Sequence, residues 1–136
     1  MHGDGSAARD FLHVEDTCRG LDMILHAPAE KVLGQTFNLA TGQDRSILTL
    51  AQDVVRAMDY DPAKIVFLGD RPGQVFRHTG DSAKIKNTLG WEPKLDWETG
   101  LRQTIDWYTN NRDWWERQIW MRAIPIVARN GRREMH

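Results

Sequence analysis

Apolar residues recur at Val14, Cys18, Leu21 and Leu25, at spacings of four, three and four, which sets them along one face of a helix. Asp16 offers N-cap chemistry near its start, and Pro28 lies just beyond its end. A second stripe, made by Ile47, Leu50, Ala51, Val54, Val55 and Met58, is the most regular in the chain. Ser46 stands where an N-cap belongs, and Asp61-Pro62 stops the helix. A third, shorter helix follows Asp81, carries Ile85 and Leu89, and closes at Gly90, a residue suited to the left-handed C-cap. Pro93 bars its resumption. Asp96 opens a fourth helix, with Trp97, Leu101, Ile105 and Tyr108 on one face. Gly100 inside that helix costs about 1 kcal/mol relative to Ala, which points to a neighbour packed closely against it.

Three short runs between the helices read as strands: residues 10–13 (DFLH), 36–40 (TFNLA) and 64–68 (KIVFL), the last rich in β-branched and aromatic side chains. Residues 2–8 and the GDRPGQ segment that follows Leu68 read as loops. In the tail, Asn130-Gly131 is a two-residue hairpin signal. Three strands and four helices in interleaved order give an α/β class, α+β-like in detail. The strands are too few for a complete doubly wound sheet covered on both faces, so the pattern reads as part of a larger architecture.

Charge narrows the function classes. Eighteen Lys and Arg stand against nineteen Asp and Glu, for a formal net charge of -1. Nothing global therefore draws the chain to nucleic acid or to an anionic membrane. No run approaches the roughly 20 apolar residues a bilayer span requires. The polar, glycine-rich start is unlike a secretory signal, and a cytoplasmic location is the expectation. The single cysteine, Cys18, allows no internal disulfide. Its place in an apolar helical stripe predicts a buried structural thiol. Of six tryptophans, four fall between residues 107 and 120, a concentration that predicts a core or docking surface.

Most catalytic chemistries find no support in the residues. Gly3-Asp4-Gly5 precedes a strand and opens no helix, so it is a turn and not a dinucleotide loop. The histidines at 2, 13, 26, 78 and 136 include no i, i+4 pair, and there is no Cys-x-x-Cys, so no metal site is predicted. Ser6, Ser46 and Ser82 occupy loop or cap positions, and nothing nominates a nucleophile. Two arginines remain. Arg71 lies in Asp70-Arg71-Pro72-Gly73, a loop stiffened by Pro and bent by Gly, and Arg9 lies at the start of the first strand. A guanidinium held in such a place suits bidentate phosphate recognition. Taken singly, each reads first as a surface ion-pair residue, and the phosphate role comes second.

The segments together resemble the extended short-chain dehydrogenases/reductases, the NAD-dependent nucleotide-sugar epimerase/dehydratase family. The similarity runs in family order through Gly3-Asp4-Gly5-Ser6, Arg9-Asp10-Phe11-Leu12-His13-Val14-Glu15-Asp16 and Gly34-Gln35-Thr36-Phe37-Asn38-Leu39. It continues through Ser46-Ile47, the Asp70-Arg71-Pro72-Gly73 loop (most like the dTDP-glucose 4,6-dehydratase branch), Asp81 with Lys84, Leu89-Gly90-Trp91-Glu92-Pro93, and the helix holding Gly100-Leu101 and Trp107-Tyr108. The resemblance implies a Rossmann domain joined to a smaller carboxy-terminal substrate domain. Residues 1–120 would be the substrate-binding portion, with residues 121–136 as a tail ending in a hairpin. Arg9 and Arg71 would hold the diphosphate of a nucleotide sugar, with Asn38 near the nucleotide.

The family's Gly-x-x-Gly-x-x-Gly loop for NAD and its catalytic Tyr-x-x-x-Lys pair do not occur in this sequence. Tyr60 and Lys64 have the second spacing, but in a helix-breaking Tyr-Asp-Pro-Ala-Lys turn. The expectation is a truncated epimerase/dehydratase: no catalytic residue, cofactor or metal site in this chain, NAD only in the parent family, and at most weak binding of a nucleoside diphosphate sugar. Its protein partner would be an amino-terminal half or a second copy. The alternative is a standalone, non-catalytic binding or dimerising module.

Overall fold

The computed structural model describes residues 1–69, 73–122, 125–127 and 133–135. Arg71 and the Asn130-Gly131 pair lie outside the described residues. The chain forms two compact units, Met1–Leu101 and Arg102–His136.

The first unit is organised around a three-stranded sheet. Its central strand is β1 (Ala8–Asp10), with β2 (Asp44–Ser46) antiparallel on one side and β3 (Arg77–His78) parallel on the other. The class is mixed α/β, as the interleaved pattern predicts, but the strands fall at other positions. Residues 36–40 join no ladder among the described residues; the Ala40 amide and carbonyl both bond the Ser82 hydroxyl, at 2.8 and 2.9 Å. Residues 64–68 begin in a 3-10 turn (Pro62–Lys64) and meet the amino terminus in an isolated parallel bridge, His2 to Leu68, with the Met1 amine donating to the Val66 carbonyl at 2.6 Å. Conversely, the Asp-Arg-Ser and Arg-His segments have little strand propensity and become strands through register with β1. Cross-strand context outweighs composition here.

The helices follow their local signals more closely. These are α1 (Val14–Leu25), the short α2 (Ala29–Val32), α3 (Ile47–Ala57), α4 (Ala83–Leu89) and the start of α5 (Trp97–Asn110). Ser46 caps α3 by accepting from the Thr49 amide at 3.0 Å, and Gly90 ends α4 in the left-handed conformation with φ 73°. Asp96 accepts from the Thr99 amide at the head of α5. The close packing expected at Gly100 is present: a Cβ there would lie 3.4 Å from His13 Cδ2.

The apolar stripe of α1 faces outward. Asp16 and Gly20 are its buried residues. Val14, Leu21 and Leu25 are 65, 58 and 78 % exposed, and Cys18 is exposed with them, not buried. Gly20 explains the choice. A Cβ at that position would come within 2.7 Å of the Leu39 side chain and 3.0 Å of the Trp91 indole nitrogen, so only glycine allows the helix to lie this close. Trp91 and Ile85, both fully buried, complete the core beside it. Asp16 is the expected cap residue put to other use. The cap is His13, whose Nδ1 accepts from the Glu15 amide, while the Asp16 carboxylate accepts from the Lys94 and Leu95 amides at 3.0 and 3.1 Å and from Arg19 at 2.6 Å.

In the second unit the tryptophans form a local stack. Trp107 meets Tyr108 and Trp114 edge-on at 5.2 and 5.3 Å, and the Trp115 indole donates to the Tyr108 carbonyl at 2.7 Å. This ties the end of α5 to α6 (Arg112–Trp115), which a 3-10 segment (Glu116–Arg122) continues. Strands β4 (Pro125–Val127) and β5 (Arg133–Met135) pair antiparallel with Ile126 opposite Glu134.

Candidate functional site

Strand pairing sets the chemistry of the site. Residues in register on neighbouring strands project to the same sheet face, and successive residues alternate. Arg9 of β1 stands opposite Arg45 of β2 and beside His78 of β3. One row across one face is therefore Arg45, Arg9, His78. Phe11, two residues beyond Arg9, continues that face. Its ring lies 5.7 Å from Trp97, and the Arg45 guanidinium sits 4.7 Å over the same indole. The indole nitrogen donates to Asp53 at 2.8 Å, which fixes the platform under Arg45.

The opposite face carries the acids. Asp44 is paired with Arg77 and accepts from the Thr79 hydroxyl at 2.9 Å. The Thr79 hydrogen bond, ahead of the Arg77 contact, holds the Asp44 carboxyl below its usual range despite some desolvation. Asp10 accepts from the Thr41 amide (3.0 Å) and hydroxyl (2.5 Å) and from the Gly42 and Gly80 amides (2.9 and 3.3 Å). It thus ties two loops to β1 and fixes the strand that presents Arg9. Sequence reasoning missed Asp10 as this anchor. The available signal was its alternation with Arg9 on a strand, together with the Thr41-Gly42 turn, whose amides need an acceptor.

Arg9 is half-buried and donates from Nη1 to the Ala8 carbonyl at 2.6 Å. Among the described residues, neither Arg9, Arg45 nor His78 has a carboxylate partner. Asn38 is exposed and lies outside the three-stranded sheet, so no register ties it to Arg9. Arg71 lies outside the described residues. An open depression of about 650 Å³ is lined by Thr41, Gly42, Ser82, Lys86 and Glu92 among others, but by neither Arg9 nor Asn38. Its one lysine is paired with Glu92 at 2.9 Å, so it offers no free cation. Among the described residues no group of His, Cys, Asp or Glu is placed to hold a metal, and no helix is long and apolar enough to cross a membrane.

Comparison with known proteins identifies the surroundings of this row. The family model described as GDP-mannose 4,6 dehydratase matches residues 1–104. The chain is 34% identical to a dTDP-glucose 4,6-dehydratase of Escherichia coli, over 86% of its own length and 34% of that protein's. It is 36% identical to a trifunctional UDP-glucose 4,6-dehydratase/UDP-4-keto-6-deoxy-D-glucose 3,5-epimerase/UDP-4-keto-L-rhamnose-reductase of Arabidopsis thaliana, over 85% of its own length and 17% of that protein's. Among solved structures, it superposes on a dTDP-glucose 4,6-dehydratase from Bacillus anthracis in complex with NAD with a TM-score of 0.76 and 30% identity, covering 86% of this chain and 36% of that one. For a UDP-glucose 4-epimerase from Thermotoga maritima with UDP-glucose, the TM-score is 0.74 at 28% identity, covering 82% and 35%. The chain thus spans about a third of the length of the bacterial dehydratases it matches.

Proposed function

This chain belongs to the GDP-mannose 4,6-dehydratase family, and from that premise we propose that residues 1–120 are the substrate-side portion of a nucleotide-sugar dehydratase or epimerase. In this portion Arg9, with Arg71 of the Asp70-Arg71-Pro72-Gly73 segment, grips the diphosphate of a nucleoside diphosphate sugar, and Asn38 lies near the nucleotide. The observation that carries the proposal is Arg9 itself: a half-buried guanidinium on the central strand, positioned by Asp10 and, among the described residues, without a carboxylate to neutralise it. A cytoplasmic location fits the same proposal.

Hydride chemistry has no visible seat in these residues. The sequence holds neither the glycine-rich loop that would aim a helix amino terminus at a dinucleotide pyrophosphate nor a helical Tyr-x-x-x-Lys. Two charge-assisted contacts, at about 1.5–3 kcal/mol each, give roughly millimolar affinity for UDP or dTDP. Calorimetric titration is expected to find that range for both, with NADH no tighter than either. Low-micromolar binding of NADH would overturn the assignment.

The exposed stripe of Val14, Cys18, Leu21 and Leu25 supports a second function, that of a dimerising module. A bare apolar helix face favours pairing with another copy, most simply by a twofold axis. Sedimentation at tens of micromolar is expected to show a dimer that Leu21→Glu dissociates, and a monomer under those conditions argues against it.

A further inference from the structure

We propose that residues 36–39 are a docking edge, to which a second copy of this chain adds the same segment as an antiparallel strand. This surface is separate from the α1 stripe, and its existence rests neither on the substrate assignment nor on the helix-mediated dimer.

The segment has the side-chain pattern of a strand and none of a strand's backbone bonds. Thr36 and Asn38 are exposed, whereas Phe37 and Leu39 are half-buried, the period of two produced by a strand laid on a core. Leu39 lies against α1 at Gly20, and the Lys84 ammonium of α4 sits 5.2 Å over the Phe37 ring. Yet from residue 36 to residue 39 no amide or carbonyl has a hydrogen-bond partner among the described residues. The chain is bonded only on either side, by the Gln35 amide to the Val32 carbonyl and by Ala40 to the Ser82 hydroxyl. The open donors and acceptors between these points are the template that an added strand completes.

Charge identifies the occupant. Exposed strand edges are ordinarily blunted by charged side chains, by proline or by a bulge. The outer strands of the three-stranded sheet follow that rule, with Asp44 and Arg45 on β2 and Arg77 on β3. From residue 34 to residue 43, by contrast, there is neither a charged side chain nor a proline. Pairing a segment with an identical copy sets like charges against each other across the ladder, which is repulsive, and only an uncharged segment escapes that penalty. A net charge of -1 on the whole chain adds little repulsion between copies. Antiparallel registers that keep the alternation leave Phe37 and Leu39 of both copies on the covered face, with Thr36 and Asn38 outward. A twofold axis through the pair closes the assembly.

So short a ladder is expected to be weaker than the helix-mediated dimer, with a dissociation constant of roughly 0.3 mM. The full chain carrying Leu21→Glu isolates it, because that substitution disables the α1 stripe and leaves residues 36–39 untouched. Small-angle scattering of Leu21→Glu is expected to show a monomer at tens of micromolar and mostly dimer at about 1 mM. Adding Thr36→Lys with Asn38→Lys, or Thr36→Asp with Asn38→Asp, is expected to weaken that association about ten-fold or more, since like charges then meet across the ladder. An equimolar mixture of the two double variants is expected to associate again, and its association to weaken in high salt. Amide exchange in Leu21→Glu supplies a check that needs no change in the strand: residues 36–39 are expected to exchange more slowly at about 1 mM than at tens of micromolar. A monomer at about 1 mM, or a dimer whose residues 36–39 exchange at a rate independent of concentration, overturns the docking edge. Wild-type dimers that Leu21→Glu abolishes at every concentration keep the α1 contact and remove this one. Dimers of Leu21→Glu with protected residues 36–39 establish the edge even if the α1 contact fails.

Discussion

Replacing Asp16 by Ala is expected to destabilise the first unit by about 3 kcal/mol, the penalty for stripping the partner from buried, charge-assisted hydrogen bonds. The carboxylate is only 2 % exposed and accepts from the Lys94 and Leu95 amides and from Arg19. Burial by itself would raise the Asp16 carboxyl, but the Arg19 hydrogen bond and the two amides outweigh it and leave the group below its usual range. A carboxyl lowered in the folded state adds stability that is complete above the unfolded value, about 3.9 for aspartate, and is lost as pH falls through the folded value. Urea denaturation from neutral pH downward measures both effects. Wild-type stability is expected to decline below about pH 4 more steeply than that of Asp16→Ala. Parallel pH profiles, or a loss under about 1 kcal/mol at neutral pH, would show that Asp16 does not hold the residue 91–95 segment to α1.

Trp91→Ala is expected to cost about 4 kcal/mol, in the range for deleting a buried aromatic side chain and leaving a cavity. Trp91 is fully buried, its indole nitrogen donates to the Asp16 carbonyl at 3.1 Å, and Arg19 lies 5.8 Å over its ring. Trp91→Phe keeps most of the volume and is expected to lose less than half as much. Asp16 and Trp91 share the same junction, so the double substitution should cost less than the sum of the two. Strict additivity in the denaturation midpoints would mean that the two residues support separate parts of the fold.

The elements that the sequence predicts well are those whose determinants are local. Helix α3 carries its own apolar stripe and its own cap in Ser46, and α4 ends at a glycine that takes the left-handed conformation. Helix α1 was equally visible, but a stripe says which residues lie together and not which side is covered. The decision is made by Gly20 against Leu39 and Trp91, and by Asp16 against residues far along the chain. Strands β2 and β3 were hidden for a related reason. Asp-Arg-Ser and Arg-His acquire strand character only from their partners on β1. Arg9 was legible because it begins a recognisable block, whereas Arg45 and His78 enter its row through register alone, which no single segment encodes.

Residue-resolved NMR titration with dTDP tests most directly whether Arg9 holds a nucleoside diphosphate. Saturable shifts are expected at the Arg9 side-chain Nε–H and the amides of β1, with an affinity of roughly millimolar, retained in part by Arg9→Lys and abolished by Arg9→Ala. Shifts that persist unaltered in Arg9→Ala, or that centre on the depression around Ser82 and Lys86, would contradict it.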